Sequence, residues 1–273
     1  SVSHQAYEAS RLDDSETHKM LSKTYPYTIL ITEDDDEVRC FLERELSPHF
    51  KTRTAANGKD ALRVLEEEEI SLVVSDVMMP EMNGFELCRM IKSQLPFSHI
   101  PVILLTALTD ERQRIFGITG GADDYIQKPF HTDYVKIKII HLLQERQKLR
   151  ERLLEKLRDN KLLLSEVESI DDAFLRKFAE QIEAVYADPE YNVEKLSETL
   201  GLSRGHLHRK IKELTGTAPV EFLRTYRLNK ATQLLRQNAY TVSEVAYRTG
   251  FSSPAYFSKC FKAVYGVTPT EYQ

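Results

Sequence analysis

Leu72-Val73-Val74-Ser75-Asp76-Val77-Met78-Met79-Pro80-Glu81-Met82-Asn83-Gly84 reads as an apolar run of strand type that ends on one carboxylate and passes at once into a turn. Pro80 and the Asn83-Gly84 pair punctuate that turn, so Asp76 is expected at the carboxyl end of a strand. In an open parallel sheet this is the edge where ligands and chemistry collect.

The flanking sequence repeats the pattern. Thr28 to Thr32 is a short strand that runs into Glu33-Asp34-Asp35-Asp36, and a helix follows through Phe41-Leu42 to Leu46. Lys51 to Ala55 gives a second strand, Asn57-Gly58 a turn, and Ala61 to Leu65 a second helix. After the strand of Asp76 come a helix over Phe85 to Ile91, a strand from Val102 to Thr106, a helix within residues 110 to 119, and a strand from Asp124 to Phe130. The last helix starts near Thr132. Five strands alternating with helices imply a doubly wound α/β fold, a parallel sheet with helices on both faces.

Glu33, Asp34, Asp76, Thr106 and Lys128 all fall at carboxyl ends of these strands, so one sheet edge gathers them. Acidic residues crowded at a strand end repel one another unless a cation compensates them. Three carboxylates suit magnesium, which takes oxygen ligands and keeps several waters. A lysine and a threonine can hold two phosphoryl oxygens, because a transferred phosphoryl group needs its charge neutralised and its position fixed. The acidic pair, the aspartate before Met-Pro-Glu-Met-Asn-Gly, the strand-end threonine and Lys128-Pro129-Phe130 resemble a response-regulator receiver domain, with its flavodoxin-like sheet. The resemblance implies that Asp76 is the phosphoacceptor. It also implies Mg2+ on Asp34, Asp76 and the Met78 carbonyl with Glu33 acting through water, Lys128 paired with the phosphoryl group, Thr106 moving towards it, and Tyr125 turning inward. Glu33 stands where the family more often has aspartate.

In the receiver pattern the positions two beyond the acceptor and two beyond the threonine flank the path of the hydrolytic water. Here they are Met78 and Leu108, whose apolar bulk implies slow self-dephosphorylation. A phosphatase or phosphotransferase using Asp76 as its nucleophile is the rival reading. It would want a carboxylate at 78 as general acid, where this chain has methionine.

The 273 residues are enough for two domains, and 41% hydrophobic with 29% charged residues is ordinary for a globular chain. No apolar run approaches the roughly 20 residues that span a bilayer, so a cytoplasmic character is expected. Cys40, Cys88 and Cys260 are scattered and lack histidines at metal spacing, which marks them as reduced packing thiols. Residues 1–24 are polar and without periodicity and are expected to be a disordered lead-in. The receiver is assigned to 25–145 and a helical linker to 146–170. Leu142, Leu149, Leu153, Leu157 and Leu164 keep roughly to one stripe there, as a dimerising helix would.

Residues 171–273 read as an all-α unit. Lys plus Arg against Asp plus Glu number 12 against 7 over 190–273 and 23 against 30 over 1–170, so a polyanion partner is favoured only for the tail. Val193 to Leu200, a turn at Gly201, and a Ser203 cap opening Arg204 to Leu214 form a helix-turn-helix. The design returns around Val242, Val245, Gly250, Phe251, Phe257 and Phe261, with Gly201 and Gly250 spaced by 49 residues and Ile211 and Phe261 by 50. The doubled motif, Phe222 to Leu228 between the copies, and the closing Gly266-Val267-Thr268-Pro269 resemble an AraC-type DNA-binding domain. Arg204, Gly205, His206, His208, Arg209 and Lys212 are expected on the exposed face of the first recognition helix, and Pro254, Ala255, Tyr256, Ser258, Lys259 and Lys262 on that of the second. Matching by position gives Gly205, His208, Arg209, Ala255, Tyr256 and Lys259 to base edges, and Lys212 and Lys262 suit phosphates. Together the parts resemble the C-terminal cytosolic half of a hybrid two-component regulator, a free-standing response regulator being the close alternative. They imply a DNA-binding transcription regulator, not an enzyme, fed by a histidine kinase and dimeric when active.

Overall fold

The computed structural model describes residues 19–107, 121–158 and 170–273, the side chains of 152–158 excepted. The expected helix within 110–119, Leu108, Leu164 and most of the lead-in lie outside the described residues. The chain divides into two compact units after Lys148.

In the first unit β1 (Thr28–Thr32), β2 (Lys51–Ala55), β3 (Leu72–Asp76), β4 (Val102–Thr106) and β5 (Asp124–Gln127) form one sheet in the order β2-β1-β3-β4-β5. All four pairings are parallel. The helices are α1 (Asp36–Leu46), α2 (Gly58–Glu67), α3 (Gly84–Ser93) and α4 (Thr132–Arg158). Ile29, Ile31, Leu72, Val74, Ile103 and Leu105 pack with Leu42 and Leu46 of α1 and Val135, Ile139 and Leu143 of α4. On the other face Leu30, Val73, Val102 and Leu104 pack with Ala61 and Leu65 of α2 and Leu87, Cys88 and Ile91 of α3. Each fully buried aliphatic side chain contributes about 1.5–3 kcal/mol. All five residues of β3 are buried, which is why that stretch reads as an unbroken apolar run ending in a carboxylate.

Two expectations change. β5 stops at Gln127, where the chain enters a cis peptide between Lys128 and Pro129, so Lys128 lies just past its strand and not within it. Residues 19–24 are part of the packed unit: Met20 lies against the core, and the Tyr25 N–H donates to the His49 carbonyl at 2.7 Å. The last helix runs unbroken from the receiver to Arg158, about 40 Å long. Asp123 secures its middle, accepting from Lys92 Nζ at 2.6 Å, the Val102 N–H at 2.8 Å and Arg146 Nη2 at 3.2 Å.

The second unit holds α5 (Ile170–Val185), α6 (Val193–Leu200), α7 (Arg204–Thr215), α8 (Pro219–Arg236), α9 (Val242–Arg248), α10 (Pro254–Tyr265) and α11 (Pro269–Tyr272). The duplication is visible in the caps. Asn192 and Thr241 open α6 and α9, Ser203 and Ser253 open α7 and α10, and Gly216 and Gly266 close them in the left-handed conformation. Helix α8 serves both copies. Phe222 meets Phe178 of α5 edge-on at 4.8 Å, while Leu228, Ala231 and Leu235 join the cluster of Val245, Phe257 and Phe261. Gly250 is needed at the junction: its φ is +80°, and a Cβ there would stand 2.1 Å from the Tyr186 carbonyl oxygen. Arg227 crosses the same point, donating to the carbonyls of Tyr186 at 2.7 Å and Asp188 at 2.6 Å.

Candidate functional site: an acid cluster at the sheet edge and two recognition helices

The strand order reverses between β1 and β3, which opens a crevice at their carboxyl ends. Asp76 closes β3 there and is buried. Its Oδ1 accepts the Val77 N–H at 2.8 Å and lies 3.1 Å from Lys128 Nζ. The same ammonium reaches Glu33 Oε2 at 2.9 Å, so it bridges the ends of β1 and β3. Glu33, Asp34 and Asp76 each offer a carboxylate oxygen within 4.8 Å of the others, Asp34 from the exposed side. Three hard oxygen donors with one open side fit a small divalent cation that retains water.

The four consecutive acids of the sequence separate into roles. Asp35 caps α1, accepting the N–H groups of Glu37 at 2.9 Å and Val38 at 3.1 Å, and Asp36 pairs with Arg39. Only Glu33 and Asp34 remain for the crevice. Arg39, which sequence reasoning passed over, donates to the Glu33 carbonyl at 2.7 Å and steadies that turn. Its place on the first turns of α1 was the available signal.

Burial raises the Glu33 carboxyl above its ordinary value, the Lys128 hydrogen bond opposes this, and the Asp76 charge adds to the rise. For Lys128 burial works against the charge, but Glu33 and Asp76 outweigh it and the ammonium is held above its ordinary value. The group therefore stays ionised as a fixed positive charge beside Asp76.

Thr106 ends β4 half-buried, and its carbonyl accepts the Lys128 N–H at 2.7 Å. Tyr125 pairs with Leu104 across β4 and β5, so the alternation of side chains puts Tyr125 and Thr106 on one face of the sheet. The Tyr125 ring is half-buried against the α3 side, and burial pushes its phenol up to about 12. Met78 is 65% exposed.

In the second unit Arg204, Gly205, His208 and Lys212 are exposed on α7, and Ala255, Tyr256, Lys259 and Lys262 on α10. Arg209 is half-buried. His206 is half-buried as well, which corrects its expected place on the open face. Arg204 is held by Glu194 of α6 at 2.7 Å. Tyr256 takes a hydrogen bond from Arg224 of α8, itself paired with Glu221.

A parallel sheet with an acid cluster and a lysine at its carboxyl edge stands on one chain with two helix-turn-helix motifs. Residues 29–140 match the family model of the response regulator receiver domain, and residues 196–273 match that of a helix-turn-helix domain of AraC type. The chain carries these two domains. Over 264 residues, 96% of its length, it is 37% identical to Histidine kinase P4 of Formosa agariphila and spans 19% of that protein. Over 121 residues it is 43% identical to the transcriptional regulatory protein GltR of Pseudomonas aeruginosa, covering 44% of this chain and 50% of the relative. The solved receiver domain of a signal transduction histidine kinase from Syntrophus aciditrophicus is 38% identical, covering 44% of this chain and 91% of that one with a TM-score of 0.42. The chain thus spans half or less of the length of these two curated relatives. Among the described residues no helix is long and apolar enough to cross a membrane.

Proposed function

We propose that the chain is a phosphorylation-controlled transcription regulator of a two-component system, in which Asp76 accepts a phosphoryl group from a histidine kinase. The observation that carries this reading is the meeting of Glu33, Asp34, Asp76 and Lys128 in one crevice, on a chain that also bears two recognition helices. Glu33, Asp34, Asp76 and the Met78 carbonyl are the groups to hold Mg2+, with Glu33 acting through water. When bound, the ion draws charge from the phosphoryl oxygens and makes the phosphorus more electrophilic.

An Asp76 carboxylate oxygen attacks phosphorus in line. The bond to the donor's imidazole nitrogen breaks, and its electron pair returns to the ring. Lys128, already 3.1 Å from Asp76, neutralises one phosphoryl oxygen, and the Thr106 hydroxyl donates to another. Tyr125 then follows Thr106 inward along their shared face, which biases a two-state receiver. Met78 offers no proton at the position where a hydrolase would keep its acid. The product therefore persists as a signal, and the chain is a regulator and not an enzyme.

The relative named a histidine kinase, alike over nearly the whole chain, supports a kinase on the same polypeptide as the donor. Leu149, 65% exposed on α4, supports dimerisation along that helix in the active form. DNA as the partner supports a cytoplasmic location. The experiment is incubation with acetyl phosphate and Mg2+, followed by mass spectrometry and a DNA footprint. One phosphoryl group is expected, absent in Asp76→Asn, together with a footprint that depends on it. A footprint indifferent to phosphorylation would overturn the regulatory reading.

A further inference from the structure

Lys210 lies in the middle of the first recognition helix, and its side chain has no exposure at all. Its Nζ meets Asp171 Oδ1, in the first turn of α5, at 2.6 Å and sits 5.1 Å over the ring of Phe174. A buried ammonium costs several kcal/mol unless geometry with its partner is good. Fifty residues later the equivalent core position of α10 is Cys260, packed among apolar side chains. The carboxylate of Glu221 in α8 pairs with Arg224, which reaches α10 at the surface, through Tyr256. The two copies of one fold thus hold their recognition helices by different means.

An apolar side chain tolerates several rotational settings of its helix. An ion pair combined with a ring contact tolerates few, because both are directional. We propose that the Lys210–Asp171 pair is a positioning device for DNA reading: it fixes the rotation of α7 about its axis and so decides which of His208, Arg209 and Lys212 face base edges. A rotation of about 20° swings a side-chain tip ~6 Å from the axis by about 2 Å, enough to lose a hydrogen bond. Lys210 touches no base itself. The inference rests on the DNA-reading function proposed above.

The test uses the full chain, treated with acetyl phosphate and Mg2+, on an array of randomised DNA duplexes. Arg209→Ala identifies the bases read by α7. Lys210→Met with Asp171→Leu replaces the pair by apolar residues, which keeps such a core folded and often as stable. In that double variant the preference at the α7 bases is expected to fall about tenfold, while that at the α10 bases and the thermal midpoint hold. Lys210→Met alone, which takes the ammonium from Asp171, is expected to lose the same preference and thermal stability as well. Unchanged preference at the α7 bases in the double variant would overturn the inference while leaving the DNA-binding reading intact. A wild-type chain without any preferred sequence would overturn both.

Discussion

At Glu33 the direction of the pKa shift gives the pH dependence a definite sign. A carboxyl whose folded value lies above its unfolded one favours the fold when protonated, so this contribution is present in acid and is lost as pH rises through the folded value. Glu33→Gln removes that loss. In metal-free protein the variant should therefore gain on the wild type in denaturant midpoint between pH 4 and pH 7, and a difference that shrinks over that interval would contradict the assignment. Lys128, also raised, keeps its contribution below its unfolded value and loses it only as alkaline pH passes the folded one. Proton binding to Glu33 also competes with a divalent cation, so Mg2+ should stabilise the wild type more at pH 7 than at pH 5. Met78, largely exposed beside this cluster, is the residue to test for persistence of the phosphoryl group. Met78→Asn offers an amide that can orient a water, and the half-life of phosphoaspartate should shorten by on the order of tenfold. Phosphate release after rapid desalting measures it, and an unchanged half-life would remove Met78 from the argument.

The turn after β3 depends on α3 approaching closely. Asn83 and Glu86 form a capping box at its start, and a Cβ on Gly84 would stand 2.2 Å from the carbonyl oxygen of Asp76. Gly84→Ala must push the helix away or tilt the peptide that carries the acceptor. A loss of about 1–3 kcal/mol in chemical denaturation is expected, with slower phosphorylation by acetyl phosphate. Asn83→Ala should cost about 1 kcal/mol from the cap alone, with the phosphorylation rate held. Most of this level was legible in the sequence because the local signals agreed with the fold. β1, β2 and β4 have the bounds their residues suggest, and the turn at Gly201 and the Ser203 cap of the second unit stand where the sequence placed them. What was not legible depends on packing between elements distant in sequence. Lys210 had no role in the sequence reading, because its partners Asp171 and Phe174 lie some forty residues away in the chain. Met20 reads as part of a polar lead-in until the receiver core receives it. The strand-end carboxylates were legible, but their division into crevice and cap was settled by the start of α1, where Asp35 caps the helix and Asp36 pairs with Arg39.

On the scale of the whole molecule charge is divided unevenly between an acidic and a basic half, and the basic half makes a prediction that separates position from specificity. Residues 190–273 carry 12 lysines and arginines against 7 acids, so their binding to DNA should weaken steeply with salt. Lys212 is exposed, as suits a charge that binds phosphate, whereas Arg209 is half-buried, and its planar fork suits a guanine edge. Lys212→Ala should lower affinity for every sequence alike and reduce the slope of log affinity against log salt by about 0.9, the loss of one phosphate contact. Arg209→Ala should instead cost about 1–3 kcal/mol on the preferred site and little on random DNA, which flattens the distinction between them. Fluorescence anisotropy on both duplexes across a salt series measures the four quantities together. If the two variants shared one slope and one discrimination ratio, the division of α7 into a base-reading and a phosphate-binding charge would fail, although the electrostatic attraction of the half would remain.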